Sequence, residues 1–320
     1  LDAHPPSPSA RILMERNCSV RRTVEIVLDS WSFLILREAF FGVRRFDKFQ
    51  SRLSIPRQTL SNRLSKLVEN DILSTGTRPN ERGKQYFLTD RGKDLFPTML
   101  SLIEFGDKWL AGDAPPPLTL THKACGQKCR PMTACSKCKT PIHARDVTYR
   151  DGPGAGFSPH EQRRSTRRTS DANVLQRARP CSVARSLTII GDRWSFLILR
   201  EGWFGVRRFD EMREKLGIAT NILTDRLNRL VEAGVFDKVP YNEAQDRFEY
   251  RFTKMGLDLY KPMLVMMAWG DKCLGNGVAP LRLRHRNCGQ DFQAEVVCSE
   301  CLKPIHSSDT EYTLNYELPD

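Results

Sequence analysis

Apolar positions recur at helical spacing through most of the chain and give way to short strand-like runs only in places. In the second half, Val183 to Ile190 and Trp194 to Trp203 each carry an apolar stripe, separated by Gly191-Asp192. A short helix is predicted from Phe209 to Lys215, with Gly217 as its stop signal. From Ala219 to Ala233, Leu223, Leu227, Leu230 and Val231 fall at i, i+4, i+7 and i+8, one face of a helix that Gly234 ends. Val235 to Val239 and Phe248 to Phe252 read as two strands around a polar loop. Thr253 then caps a long helix from Lys254 to Leu274. The first half repeats the pattern, with helices near 19–28, 31–41, 46–53 and 57–70, a hairpin over 72–88 and a helix at 90–110. Helix, short turn, helix, hairpin is the order of a winged helix-turn-helix, whose second motif helix enters the major groove of DNA.

The repetition is literal. Trp31 to Glu38 recurs unchanged as Trp194 to Glu201, Phe41 to Asp47 as Phe204 to Asp210, and Cys18-Ser-Val as Cys181-Ser-Val. A unit of this length is too long for a solenoid repeat, so each copy is expected to own a core. The predicted fold is mainly α with small β-hairpins (α+β): two tandem winged helix-turn-helix domains, each followed by a short Cys/His-rich segment. The expected boundaries are 18–112 and 181–275 for the winged domains and 113–149 and 276–320 for the Cys/His-rich tails. Residues 1–17 read as a disordered or misassigned N-terminus, since Leu1 stands where Met is usual and Met14 precedes the first patterned segment. Residues 150–180 combine Gly152-Pro-Gly-Ala-Gly156 with Arg163, Arg164, Arg167 and Arg168, a composition that suits a basic linker. As a flexible coil such a linker spans roughly 30 Å, comparable to one DNA turn of about 34–36 Å.

Composition adds a partner class. The formal net charge is +12 at pH 7, a balance that favours a polyanion. No apolar run approaches the ~20 residues of a membrane span, and the Pro- and Ser-rich stretch from Ala3 to Ala10 is unlike a secretory signal. A cytoplasmic location is therefore expected. No Gly-x-Ser-x-Gly, His-Glu-x-x-His or phosphate-loop pattern is present, which argues against an enzyme.

Candidate DNA contacts lie opposite the apolar stripes of the two recognition helices. Copy one offers Gln58, Ser61, Asn62 and Lys66, and copy two offers Asn221, Thr224, Asp225 and Arg229. Gln and Asn pair bidentately with adenine edges, whereas Lys and Arg suit phosphate. Arg226, with its counterpart Arg63, lies on the flank, where a phosphate contact and an internal salt bridge both fit. Arg78, Arg82, Lys84 and Arg247 fall in the wings, within reach of phosphate or the minor groove.

After each last helix comes the same spacing: His122-x2-Cys125-x9-Cys135-x2-Cys138, and His285-x2-Cys288-x9-Cys298-x2-Cys301. One histidine and three cysteines in two short-spaced pairs suit a closed tetrahedral zinc site. The expectation is two structural zinc ions per chain, one in each tail, set against a cysteine-bearing tail without metal. Cys129 has Phe292 as its counterpart and is not expected to be a ligand.

Cys-Ser-Val-Ala, Ile-Gly-Asp-Arg-Trp, Leu-Ile-Leu-Arg-Glu, Phe-Gly-Val-Arg-Arg-Phe-Asp and Leu-Thr-Asp-Arg-Leu-x-x-Leu-Val-Glu-Ala-Gly follow in that order across 181–234. Together they closely resemble the HxlR-type winged-helix transcription regulators, relatives of the MarR group. The resemblance covers about residues 18–110 and 181–274. It implies a sequence-specific DNA-binding regulator, and because such proteins usually act as homodimers, it implies that the fused copies form an internal pseudo-dimer. It also marks Cys18 and Cys181 as candidate thiol sensors, with a small-molecule signal as the other kind of switch. Positive neighbours such as Arg21, Arg22 or Arg185 would favour thiolate, whereas a buried inert thiol is the plain alternative. Copy one departs from the pattern, with Val27-Leu28-Asp29-Ser30 for Ile-Gly-Asp-Arg and Glu69-Asn70-Asp71 for Glu-Ala-Gly. A second reading stays open in which copy one has lost DNA binding and the chain is an interaction or dimerisation adaptor.

Overall fold

The computed structural model describes residues 14–27, 29–77, 83–159, 179–242 and 247–317. Copy one runs α1 (Ser19–Val27), α2 (Ser30–Phe40), α3 (Phe46–Leu53), α4 (Arg57–Glu69), the hairpin β2 (Leu73–Gly76) and β3 (Gln85–Leu88), α5 (Asp90–Lys93) and α6 (Phe96–Trp109). Copy two repeats the order as α7 (Ser182–Ile190), α8 (Arg193–Trp203), α9 (Phe209–Leu216), α10 (Thr220–Glu232), β9 (Phe236–Asn242) with β10 (Arg247–Phe252), α11 (Lys254–Asp258) and α12 (Tyr260–Cys273). Asp29 and Asp192 cap α2 and α8, accepting from the backbone N–H of Ser32 and from those of Trp194 and Ser195. Such caps contribute about 1 kcal/mol each. The turn between the motif helices needs a left-handed residue, Ser54 in copy one and Gly217 in copy two. Only glycine adopts that conformation without steric cost.

The single long helix expected at 90–110 is two helices, and so is its counterpart at 254–274. Pro97 and Pro262 stand at the breaks. A proline ring clashes with the carbonyl four residues back and donates no hydrogen bond, so α5 and α11 cannot run on into α6 and α12.

The copies do not own separate cores. Their buried apolar residues, from Leu34, Leu64 and Phe105 to Leu187, Phe196 and Leu264, form one continuous cluster. The helices that join them cross closely. α1 packs on α12, α7 packs on α6, and α6 packs on α12. A Cβ placed on Gly106 would lie 2.3 Å from the carbonyl oxygen of Ser182, and one on Gly270 would lie 2.7 Å from that of Ser19. At each crossing a buried serine donates to an aspartate of the other copy, Ser19 to Asp271 and Ser182 to Asp107. Thr23 and Ser186 donate in the same way to the carbonyls of Met266 and Leu102. Burial pushes the carboxyl groups of Asp107 and Asp271 above the ordinary carboxylate range, against the serine hydrogen bonds.

The tails interleave. Strands β4 (Leu118–His122), β5 (Gln127–Cys129), β6 (Pro131–Cys135) and β7 (Val147–Asp151) follow copy one, and β11 (Leu281–His285), β12 (Gln290–Phe292), β13 (Ala294–Cys298) and β14 (Thr310–Leu314) follow copy two. One sheet has the order β5-β4-β14 and another β12-β11-β7, while β6 pairs with β13. Every tail sheet therefore contains strands from both copies. Two boundaries also shift. The residues just past 150, expected as linker, complete β7 and form β8 (Phe157–Pro159), and β8 pairs antiparallel with β1 (Met14–Arg16) inside the expected disordered N-terminus.

Gly106→Ala is expected to destabilise the full chain by about 1–3 kcal/mol, because the contacted atom is backbone that cannot step aside. Urea denaturation of the two proteins side by side measures it.

Candidate DNA-binding helices and metal centres

α4 and α10 are the second helices of their motifs, each burying a leucine stripe: Leu60, Leu64 and Leu67 on one, Leu223, Leu227 and Leu230 on the other. The opposite face is exposed at Gln58, Ser61 and Asn62 in copy one and at Asn221, Thr224, Asp225 and Arg229 in copy two. Gln58 donates to Asn62, and Arg229 pairs with Asp225 one turn back at 3.2 Å. In the wings, Lys84 and Arg247 are exposed. Arg78 and Arg82 lie outside the described residues.

Two expected contacts are drawn into the protein instead. Lys66 donates to the backbone carbonyl of Glu25 at 2.5 Å and is partly buried, so it ties α4 to α1. Arg226 is buried on α10 and bonds Asp192 at 2.9 Å, the residue that caps α8, while also pairing with Asp225. Its counterpart Arg63 holds Asp29 at 3.0 Å. Both arginines fix the recognition helix to the start of the second helix. A helical wheel places them on the flank but cannot say that an acidic cap waits beside them.

The eight expected metal ligands do come together, but not in the expected sets. His122 and Cys125 meet Cys298 and Cys301, and His285 and Cys288 meet Cys135 and Cys138, all ligand atoms in each group lying within 4.8 Å of one another. The one-tail, one-site grouping is thus wrong. The reason is strand length: the nine residues after Cys125 include β6, which at ~3.4 Å per residue carries Cys135 about 14 Å from the start of that strand. The β6–β13 register places Cys298 opposite Pro131 and Cys135 opposite Ala294. Each Cys-x2-Cys turn therefore lands beside the other copy's His-x2-Cys turn.

The distances suit a shared metal. His122 Nδ1 lies 3.7 Å from Cys125 Sγ and 3.3 Å from Cys301 Sγ, and Cys125 Sγ is 3.9 Å from Cys298 Sγ. In the second group the corresponding values are 3.5 Å to Cys288, 3.3 Å to Cys138 and 4.0 Å from Cys135 to Cys288. A tetrahedral Zn²⁺ with bonds of about 2.3 Å to sulfur and 2.0–2.1 Å to nitrogen has S···S edges near ~3.8 Å and S···N edges near ~3.6 Å. The sulfurs are far outside the ~2.05 Å of a disulfide. Backbone N–H groups of Lys137 and Glu300 point at Cys135 Sγ and Cys298 Sγ, both at 3.4 Å, as thiolates require. The Lys303 backbone draws the Cys301 thiol down to about 7. Burial pushes Cys138 up, but bonds from Thr140 and the neighbouring thiols bring it down to about 6. Cys129, beside the first group, is pushed up to about 12 by burial and stays a neutral thiol outside the ligand set.

Cys18 and Cys181 each face an arginine of the other copy rather than Arg21, Arg22 or Arg185. Cys181 lies against Arg37 and Cys18 against Arg200. Burial lowers both guanidinium groups, but the thiol and the adjacent Glu38 or Glu201 hold them above the ordinary arginine range.

With this geometry in view, the comparisons decide the family. The model for "HxlR-like helix-turn-helix" matches residues 26–114 and again 189–277. The chain belongs to the HxlR-like helix-turn-helix family. An uncharacterised HTH-type transcriptional regulator of Mycobacterium tuberculosis is 46% identical over 125 residues, covering 39% of this chain and 79% of the relative. The regulator YdeP of Bacillus subtilis, also uncharacterised, is 33% identical over 93 residues, covering 29% of this chain and 73% of its own. The solved structure of PA1607, a candidate transcription factor, shares 38% identity at a TM-score of 0.36 and covers 41% of this chain and 92% of that one. Family and relatives mark the chain as a DNA-binding transcriptional regulator. No helix among the described residues is long and apolar enough to cross a membrane.

Two outcomes follow from the geometry. Cys125→Ser with Cys298→Ser should lower bound metal from two ions to one per chain, whereas Cys125→Ser with Cys135→Ser should abolish both sites; metal analysis of the purified variants distinguishes this from pairing within each tail, which reverses the two results. Arg226→Ala should cost about 1–3 kcal/mol by leaving Asp192 without its partner, while Arg229→Ala on the exposed face should change stability by about 0.5 kcal/mol or less. Chemical denaturation separates them.

Proposed function

We propose that the chain is a sequence-specific regulator that acts as its own pseudo-dimer, placing α4 and α10 in successive major-groove turns of an imperfectly palindromic operator. The observation that carries this reading is the pair of exposed polar faces, Gln58/Ser61/Asn62 and Asn221/Thr224/Asp225/Arg229, on helices whose other face is wholly occupied by leucines. Such a face has no packing role, and its amides match base edges. Lys84 and Arg247 extend it to phosphate through the wings. The two faces differ, so the half-sites differ. The net charge of +12 supplies the nonspecific attraction that precedes base readout.

Two structural zinc ions complete the reading. The closed sets of one histidine and three thiolates leave no open position for substrate, which favours scaffold over catalysis. Bound zinc would cross-link one copy to the other at two points, holding the recognition helices at a fixed separation. Cys18 and Cys181, each seated against a buried arginine of the opposite copy, are placed where a change at the thiol would press on that scaffold.

Asn221→Ala with Arg229→Ala should weaken binding to the preferred operator by roughly tenfold or more, because a bidentate base contact contributes about 1–3 kcal/mol. A gel-shift titration at fixed salt measures it. Unchanged affinity would overturn the assignment of α10, and an effect of this double variant with none from Gln58→Ala and Asn62→Ala would favour the reading in which copy one is an adaptor.

A further inference from the structure

The two copies are not equivalent beside their buried Arg-Glu pairs. In copy one, Glu38 is sealed: Arg37 bonds one carboxylate oxygen at 2.8 Å, and Arg179 reaches across to the other at 2.9 Å. The Arg179 guanidinium also lies over the Phe41 ring at 5.2 Å, and only 6% of its side chain is exposed. Arg52 adds a third cation at 3.6 Å.

The matching place in copy two is built alike but left unfilled by protein. Arg200 bonds Oε1 of Glu201 at 2.7 Å. Among the described residues, no cation reaches Oε2. Arg16 is the counterpart of Arg179 and lies over Phe204, the counterpart of Phe41, at 5.4 Å. Its charge, however, turns outward to Asp151 at 3.1 Å and is 38% exposed. Lys215, standing where Arg52 stands, makes no described ion pair with Glu201. The sequence explains the difference. Asp151 has Leu314 as its counterpart, so nothing draws Arg179 outward, and the β1–β8 pairing that carries Arg16 has no described match in copy two.

Beside this vacancy lies a cavity of about 100 Å³, walled by Phe204, Trp203 and Tyr260 with Met263, Met267 and Leu283. Its volume approaches that of an engineered apolar cavity of ~150 Å³ that takes up benzene. The wall includes the Phe204 ring, over which a cation is favoured, and beyond it stands a carboxylate nine-tenths buried with one oxygen uncommitted.

We propose that this cavity binds a small organic cation, an amidine, guanidine or amine on a compact apolar body, whose charge takes at Glu201 the position that Arg179 takes at Glu38. The apolar body fills the aromatic and methionine-lined space. Arg200 does not repel such a ligand more than Arg37 repels Arg179, since both cations in copy one share a single carboxylate. The site needs residues from α8, α12 and the tail sheet, so it exists only where the copies are assembled. It stands independently of the DNA-binding reading.

Isothermal titration of the full metal-bound chain with benzamidine tests the proposal, with benzoate and toluene as anionic and neutral probes of the same ring. One benzamidine should bind per chain, and benzoate and toluene should bind at least tenfold more weakly. Glu201→Gln should cut benzamidine affinity tenfold or more, whereas Glu38→Gln should leave it unchanged. Asp151→Leu, on the surface outside the cavity, provides a second variant should Glu201→Gln not fold: it frees Arg16 to occupy Glu201 and should weaken benzamidine several-fold. Equal binding of benzamidine and toluene, or affinity unaffected by both Glu201→Gln and Asp151→Leu, would overturn the assignment.

Discussion

The antiparallel pairing of β6 with β13 is the constraint on which the rest of the assembly depends. Its register sends each Cys-x2-Cys turn to the far end of the other copy's hairpin. That exchange brings the ligand sets together across the copies and lays β7 along β11 and β14 along β4. The helical layer repeats the theme at Gly106 and Gly270, where missing side chains let α6 and α12 approach the first helices of the opposite copies to backbone contact. Reciprocal ion pairs, Lys108 to Asp258 and Lys272 to Asp94, lie at the rim of the same interface. Being partly exposed, they register the faces more than they stabilise them.

Much of the fold was legible from the chain. Helical apolar spacing located every motif helix to within a residue or two, because each buries one stripe against the same core. The literal repeat disclosed two copies. The cross-copy metal sets were not legible, for a definite reason: identical spacing in both tails makes a set within one tail and a set shared between tails indistinguishable in one dimension. The kinks at Pro97 and Pro262 were readable in principle from proline chemistry, but the apolar stripe continues through them and masks the break.

The recognition helices show the same limit. Exposure of Asn62, Asn221 and Arg229 follows from helical periodicity alone. The inward turn of Lys66 and Arg226 depends on what lies beside the helix, a free carbonyl at the end of α1 and the acidic cap of α8. Both acceptors belong to elements distant in sequence, so no local pattern announces them. The departure from symmetry at Glu201 is subtler, since it turns on one acidic residue, Asp151, in a strand that sequence composition assigns to a linker.

The shared ligand sets also bear on how the chain is made. At about 5–20 residues per second, the first His-x2-Cys turn leaves the ribosome roughly 8–35 s before the cysteines that complete its set. During that interval the nascent first copy presents two incomplete ligand pairs with reactive thiols, and neither can close. A translation pause or an oxidative pulse in this window would trap pairings that the finished molecule excludes. Ribosome speed and thiol redox state thereby become determinants of yield, and neither copy can be lost or exchanged in evolution without orphaning half of both centres.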